Sequence, residues 1–164
     1  MISFIEVSQL RRRRMNTQTM TCKVIMTPNP QCCTPQTAVQ DVAQMMKSVD
    51  AGSIPVVESE SNRRIVGIVT DRDLALKVVS EGRDPNTTRV QDVMSADVVT
   101  CNERDSLESA MKSMSDYQIR RIPVVNDRKE IIGVIAQADV ATRTEQPMQT
   151  AEVVEEISQS NGEI

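Results

Sequence analysis

The residues of this 164-residue chain with the type and spacing for chemistry gather at Thr70, Asp71, Arg72 and Asp73, directly after Gly67-Ile68-Val69. Thr70 and Asp73 stand at capping-box spacing before an apolar helical pattern: the hydroxyl can accept a backbone N–H while the acidic side chain reaches back. No other constellation suggests catalysis. The sequence has no His, and Cys22, Cys32, Cys33 and Cys101 lack the paired C-x-x-C spacing of zinc or redox sites. Five glycines cannot assemble a P-loop or a dinucleotide-binding turn. No nucleophile comes with a base, so an enzyme is the weakest functional class and no metal site is expected.

Composition narrows the remaining classes. Aromatics make up only 1%, Phe4 and Tyr117, which leaves the core to Val, Ile, Leu, Ala and ten Met and provides no base-stacking surface for nucleic acid. A net charge of -4 also argues against a body that binds phosphate backbones. The basic cluster Arg11 to Arg14 reads as part of a solvated arm. No apolar run approaches the roughly 20 residues that span a bilayer, and the N-terminal charges follow the apolar residues, the wrong order for a secretory signal. These features predict a cytoplasmic protein with reduced thiols and no membrane partner.

The elements that must position Thr70 and Asp73 are visible because the chain repeats itself. At a shift of 68, Met26-Thr27 returns as Met94-Ser95, Cys33 as Cys101, Met46 as Met114, and Ile54-Pro55-Val56-Val57 as Ile122-Pro123-Val124-Val125. After a polar turn the shift becomes 66, and Gly67 and Asp73 meet Gly133 and Asp139. Two copies suggest two similar units, each covering the other's apolar face about a pseudo-twofold axis. Val39, Val42, Ala43, Met46 and Leu107, Ala110, Met111, Met114 both follow i, i+3, i+4, i+7, predicting helices with capping boxes at Thr37-x-x-Gln40 and Asp105-x-x-Glu108. The runs Ile54–Val57 with Ile65–Val69, and Ile122–Val125 with Ile131–Ile135, read as hairpins around exposed polar turns at 58–64 and 126–130. A second helix in repeat one would bury Leu74, Ala75, Val78 and Val79. The fold class is α+β: an arm at 1–19, repeat one at 20–82, a linker at 83–91, repeat two at 92–144, and a tail or short helix at 145–164 carrying Val153, Val154 and Ile157.

Val93-Met94-Ser95, the two Ile-Pro-Val-Val segments and Gly67-Ile68-Val69-Thr70-Asp71-Arg72-Asp73 resemble the CBS domain pair, or Bateman module, over roughly residues 20 to 144. The stretch from Thr70 through Asp84-Pro85-Asn86-Thr87 is similar to small stand-alone bacterial CBS-pair proteins of the hypoxic-response type. The resemblance implies βαββα repeats, a cleft between them, dimerisation of pairs into a disc, and binding of AMP, ADP or ATP ahead of NAD or S-adenosylmethionine. By the family pattern Thr70 would hold phosphate and Asp73 the two ribose hydroxyls. The physics agrees, since a carboxylate accepts two hydroxyls and a hydroxyl beside helix N–H groups suits an anion.

Ser53, Ile54 and Pro55 would then offer backbone and apolar contacts to the adenine, while Arg72, Arg120 and Arg121 would neutralise phosphate. Repeat two keeps Asp139 but has Ala136 where the hydroxyl belongs, so one good site and one weakened site are expected. Thr100, at the family's position near the adenine, suits the weaker site; its counterpart in repeat one is Cys32. Two functions stay open. One is a ligand sensor signalling to a regulated protein by conformational change; the other is a ligand-independent dimeric scaffold in which Thr70 and Asp73 only cap a helix.

Overall fold

The computed structural model describes residues 20–143. The expected arm with Arg11 to Arg14, and the expected tail with Val153, Val154 and Ile157, lie outside the described residues. In chain order the elements are helix α1 (Cys22–Ile25), strand β1 (Thr27–Pro28), α2 (Val39–Ser48), β2 (Ser53–Val57), β3 (Ile65–Thr70) and α3 (Asp71–Leu74), which runs on into a π-turn (Ala75–Val79). A 3-10 turn (Val90–Asp92), β4 (Cys101–Asn102), α4 (Leu107–Asp116), β5 (Arg121–Val125), β6 (Ile131–Ala136) and α5 (Gln137–Arg143) follow. These form two units, one of Thr27–Asn102 with Pro123–Val134, the other of residues 20–26, 103–122 and 135–143.

In the first unit β2 and β3 pair antiparallel, with Ser53 opposite Thr70, Ile54 opposite Val69 and Pro55 opposite Ile68. A second sheet has the order β1-β6-β5-β4, its outer strands pairing Thr27 with Val134 and, in parallel, Cys101 with Val124. The duplication reaches individual side chains. Cys33 bridges to Val56 in parallel as Cys101 does to Val124, and the two thiols approach the Pro55 and Pro123 carbonyls at 3.8 and 3.7 Å. The hydrophobic core of this unit joins Val39, Val42 and Met46 of α2 to Ile54, Val56 and Val69 of the strands and to Val78, Val90 and Val93. Each such buried Val or Ile contributes about 1.5–3 kcal/mol relative to its exposed state.

Several expectations need correction. Ala43 is exposed, and half-buried Met45 packs against the core from α2. Of the face expected after Thr70, Val78 is buried and Leu74 half-buried, but Ala75 is exposed and Val79 is 77% exposed. The cause is the π-turn: from Ala75 the backbone bonds span five residues, as in Ser80 N–H to the Ala75 carbonyl at 3.0 Å. Wider winding turns later side chains off the face an α-helix would have presented.

Neither predicted helix start holds. α2 begins after Ala38, which gives no side-chain cap; the N–H groups of Val39 and Gln40 donate instead to the carbonyls of Thr88 and Pro85 at 3.1 Å. The Thr37 hydroxyl accepts the Thr34 N–H at 3.0 Å. In the second unit the cap of α4 is Ser106 rather than Asp105, its hydroxyl accepting from Ser109 N–H at 3.1 Å, while Leu107 N–H reaches the Met20 carbonyl at 2.8 Å. Leu107, Ala110, Met111 and Met114 are buried as expected. Both helices end alike, at Asp50 and Gln118, whose φ values of 49 and 55 are left-handed. That turn lets Ala51 and Ile119 donate back to Met46 and Met114 at 3.0 and 2.9 Å, satisfying carbonyls of the last helical turns.

Candidate functional site

The candidate site lies at the end of the β2–β3 hairpin. Thr70 is the last residue of β3, and its extended backbone (φ -118, ψ 160) gives way to α3 at Asp71, whose N–H donates to the Gly52 carbonyl at 2.9 Å. The expected capping box is formed. The Thr70 hydroxyl accepts the Asp73 N–H at 3.1 Å and donates to Asp73 Oδ2 at 2.7 Å, and the same Oδ2 accepts the Thr70 N–H at 2.9 Å.

Sequence reasoning missed Lys77. Its ammonium lies 2.8 Å from Asp73 Oδ1 and donates to the Val93 carbonyl at 2.6 Å. The Asp73-to-Lys77 spacing of four was the available signal, because such pairs face each other on a helix. Burial alone would raise the Asp73 carboxyl, but hydrogen bonds from Lys77 and from the Thr70 side chain and backbone outweigh it and hold it below its ordinary value of 3.8. Asp73 is therefore ionised at neutral pH.

The other predicted residues divide between the units. Asp71 and Arg72 are exposed next to the cap, with Arg72 N–H donating to Asp71 Oδ1 at 2.7 Å. Ser53 is half-buried and paired with Thr70. Ile54 is only 2% exposed and its side chain belongs to the core, so the apolar contact expected of it is not open to a ligand. Buried Pro55 has its carbonyl engaged by Cys33 N–H at 3.0 Å. Thr100 is half-buried just before β4.

Its counterpart Cys32 accepts a hydrogen bond from Arg63 Nη2 at 3.4 Å, and burial raises this thiol's pKa despite the neighbouring guanidinium. Arg63, expected in an exposed turn, is half-buried and also donates to the Pro30 and Ile131 carbonyls at 3.0 and 3.4 Å. In the second unit Arg120 is exposed and Arg121 half-buried, and the Arg120 carbonyl accepts Gln137 N–H at 3.0 Å. There Asp139 Oδ2 accepts Ala136 N–H at 3.1 Å, the backbone half of a capping box with no hydroxyl to complete it.

All four cysteines are free. Among the described residues no three His, Cys, Asp or Glu side chains come together to hold a metal ion, and no helix is long and apolar enough to cross a membrane.

The CBS domain family matches residues 22–80 and again 90–144, so the chain belongs to the CBS-domain proteins and carries the domain twice. The CBS domain-containing protein YhcV of Bacillus subtilis is 40% identical over 119 residues, 73% of this chain and 81% of YhcV. The crystal structure of Hypoxic Response Protein I with two coordinated zinc ions is similar at a TM-score of 0.69 and 26% identity, covering 76% of this chain and 99% of that one. The crystal structure of CBSX2 in complex with AMP is similar at 0.64 and 25% identity, covering 75% and 94%.

Proposed function

We propose that this chain is a cytoplasmic, homodimeric regulatory module that binds an adenine nucleotide, AMP, ADP or ATP, and signals its occupancy to a regulated protein. The observation that carries the reading is the Thr70–Asp73 turn, a hydroxyl and an ionised carboxylate fixed beside the paired residue Ser53. The AMP bound by CBSX2, a similar CBS protein, supports the choice of ligand. In this reading Thr70 takes phosphate, Asp73 the ribose hydroxyls and Arg72 part of the phosphate charge. Ser53 offers its backbone to the adenine; Pro55 has no N–H and its carbonyl is taken by Cys33, and Ile54 is paired with Val69, so neither does. Arg120, Arg121 and Asp139, all in the second unit, would serve a weaker site there.

Acceptor counting sharpens the proposal. A carboxylate has about four lone-pair sites. On Asp73 the Thr70 N–H, the Thr70 hydroxyl and Lys77 already use three of them. Two ribose hydroxyls need two. The count closes when the Thr70 hydroxyl turns its proton from Asp73 to a phosphate oxygen, which frees a second place. Phosphate and ribose recognition are then coupled through one proton, and a nucleotide binds better than its nucleoside by more than the phosphate contact alone.

Thermal unfolding with AMP, ADP, ATP, NAD and S-adenosylmethionine tests the reading. Ligand at 100 times its dissociation constant stabilises by about 2.7 kcal/mol, and each kcal/mol raises Tm by about 2–4 °C. Asp73→Glu, which keeps the charge but lengthens the arm, should lose most of that shift. A flat response to every compound, or an Asp73→Glu protein that binds AMP as well as the parent, would overturn it. The second reading, a ligand-independent dimeric scaffold, is favoured by the engagement of both Asp73 oxygens within the chain. Absence of any saturable nucleotide binding would select it.

A further inference from the structure

Lys77 ties two parts of the first unit together. Its ammonium holds Asp73 Oδ1 at 2.8 Å and the Val93 carbonyl at 2.6 Å. Val93 directly follows the 3-10 turn and is buried in the same core as Val69, Val78 and Val90. The next two residues grip β3. Met94 lies against Gly67 so closely that a Cβ there would come within 2.8 Å of the Met94 sulfur. Ser95 and Ile68 exchange both backbone hydrogen bonds at 2.9 Å. The second match to the CBS family begins at residue 90, so this segment opens the second repeat along the chain. The π-turn carries Lys77, and Leu76 and Val79 beside it are exposed, so Lys77 is the residue of this turn that bonds both to the candidate site and to the segment.

We propose that Lys77 is a positioning residue that carries the state of the Asp73 carboxylate to Val93–Ser95, and so from the candidate ligand site to the start of the second repeat. The ligand part of this inference rests on the reading of Asp73 as a ribose acceptor. A hydroxyl arriving at the remaining lone pair of Oδ1 shares that oxygen with the ammonium and weakens its hold. The ammonium then redistributes its donors toward the Val93 carbonyl or to water. That gives occupied and empty states different energies in the segment, the differential interaction that a ligand-driven shift requires.

The test is a hydrogen-exchange cycle on the Met94 and Ser95 amides in the full chain, without ligand. Asp73→Asn, which removes the charge that holds Lys77, should change their exchange about fivefold, the size expected for one charge-assisted hydrogen bond at a half-exposed site. In a Lys77→Met background the same Asp73→Asn change should have no further effect. Lys77→Arg, which keeps the charge, should retain it. An Asp73→Asn effect of equal size with and without Lys77, or no effect in the parent, overturns the proposal. If Lys77→Met does not fold, Lys77→Gln takes its place in the cycle.

A second arm adds saturating AMP, which should alter exchange at Met94 and Ser95 in the parent but not in the Lys77→Met chain. Equal responses in the two would again overturn the relay. If AMP binds neither protein, the nucleotide reading fails, while the ligand-free cycle still decides whether Lys77 couples Asp73 to the segment.

Discussion

The turn at Thr70–Asp73 and the turn at Ala136–Asp139 share one bond, Asp Oδ2 accepting the N–H three residues before it, at 2.9 and 3.1 Å. They part company at the side chains. The first adds the Thr70 hydroxyl, which both donates to Oδ2 and accepts the Asp73 N–H. The second has a methyl where the hydroxyl would stand. The backbone bond recurs in the turn that lacks the hydroxyl, so its presence says nothing about a ligand. What distinguishes the first copy is a proton on Thr70 that can be given elsewhere.

The largest test of that difference removes each carboxylate in turn. Asp73→Ala should weaken AMP binding by about tenfold or more, the worth of a hydrogen bond to a charged group. Asp139→Ala should weaken it by no more than about twofold, since only the weaker site is touched. Calorimetric titration of both variants gives the comparison directly. Equal losses would mean that the hydroxyl does not set the two turns apart.

A smaller effect separates capping from binding. Thr70→Ala, measured without ligand, should cost about 1 kcal/mol of stability, as loss of a threonine cap does. Ala136→Thr should return about 0.5–1 kcal/mol by completing the second box. Both would be read as Tm changes of about 2–4 °C per kcal/mol. If Ala136→Thr is neutral, the second turn cannot present a hydroxyl to its own helix, and the likeness of the two turns ends at the backbone.

The contrast also shows which features a sequence can carry. The duplication was legible because Met26, Cys33, Met46 and Ile54 return at one shift, and the helices because Val39, Val42 and Met46 obey a local period. The Thr70–Asp73 box was legible for the same reason: its partners are three residues apart. Two of the misreadings share a cause, which is tertiary backbone acting in place of local side chains. Thr37 looked like a cap, but carbonyls at Pro85 and Thr88 serve the start of α2. Arg63 looked like part of an exposed turn, but the carbonyls of Pro30 and Ile131 draw it inward beside Cys32. Lys77 went unread because its second acceptor, on Val93, lies 16 residues further along the chain. Nor does the run Ala75-Leu76-Lys77-Val78-Val79 carry a local mark of the π-turn that misplaced Val79.

The smallest expected effect is a pH dependence set by the first turn. Asp73 has its carboxyl held below 3.8 in the folded chain, with burial opposing and the bonds from Lys77 and Thr70 prevailing. Across that window the unfolded chain binds more protons than the folded one, so stability rises with pH. The contribution is complete above 3.8 and is lost as the pH falls through the folded value. Lys77 is 40% exposed, so solvent screening limits the ion-pair part to about 1 kcal/mol or less. The stability gap between the parent and Asp73→Asn, followed by denaturant unfolding without nucleotide, should therefore be constant near neutrality and close as the pH drops below 3.8. In a Lys77→Met background the gap should be narrower from the outset, because the strongest of the bonds lowering the carboxyl has gone. A gap that stays constant into acid would mean that the folded chain does not favour the ionised form of Asp73. The Thr70–Asp73 turn would then act through its shape alone and not through its charge.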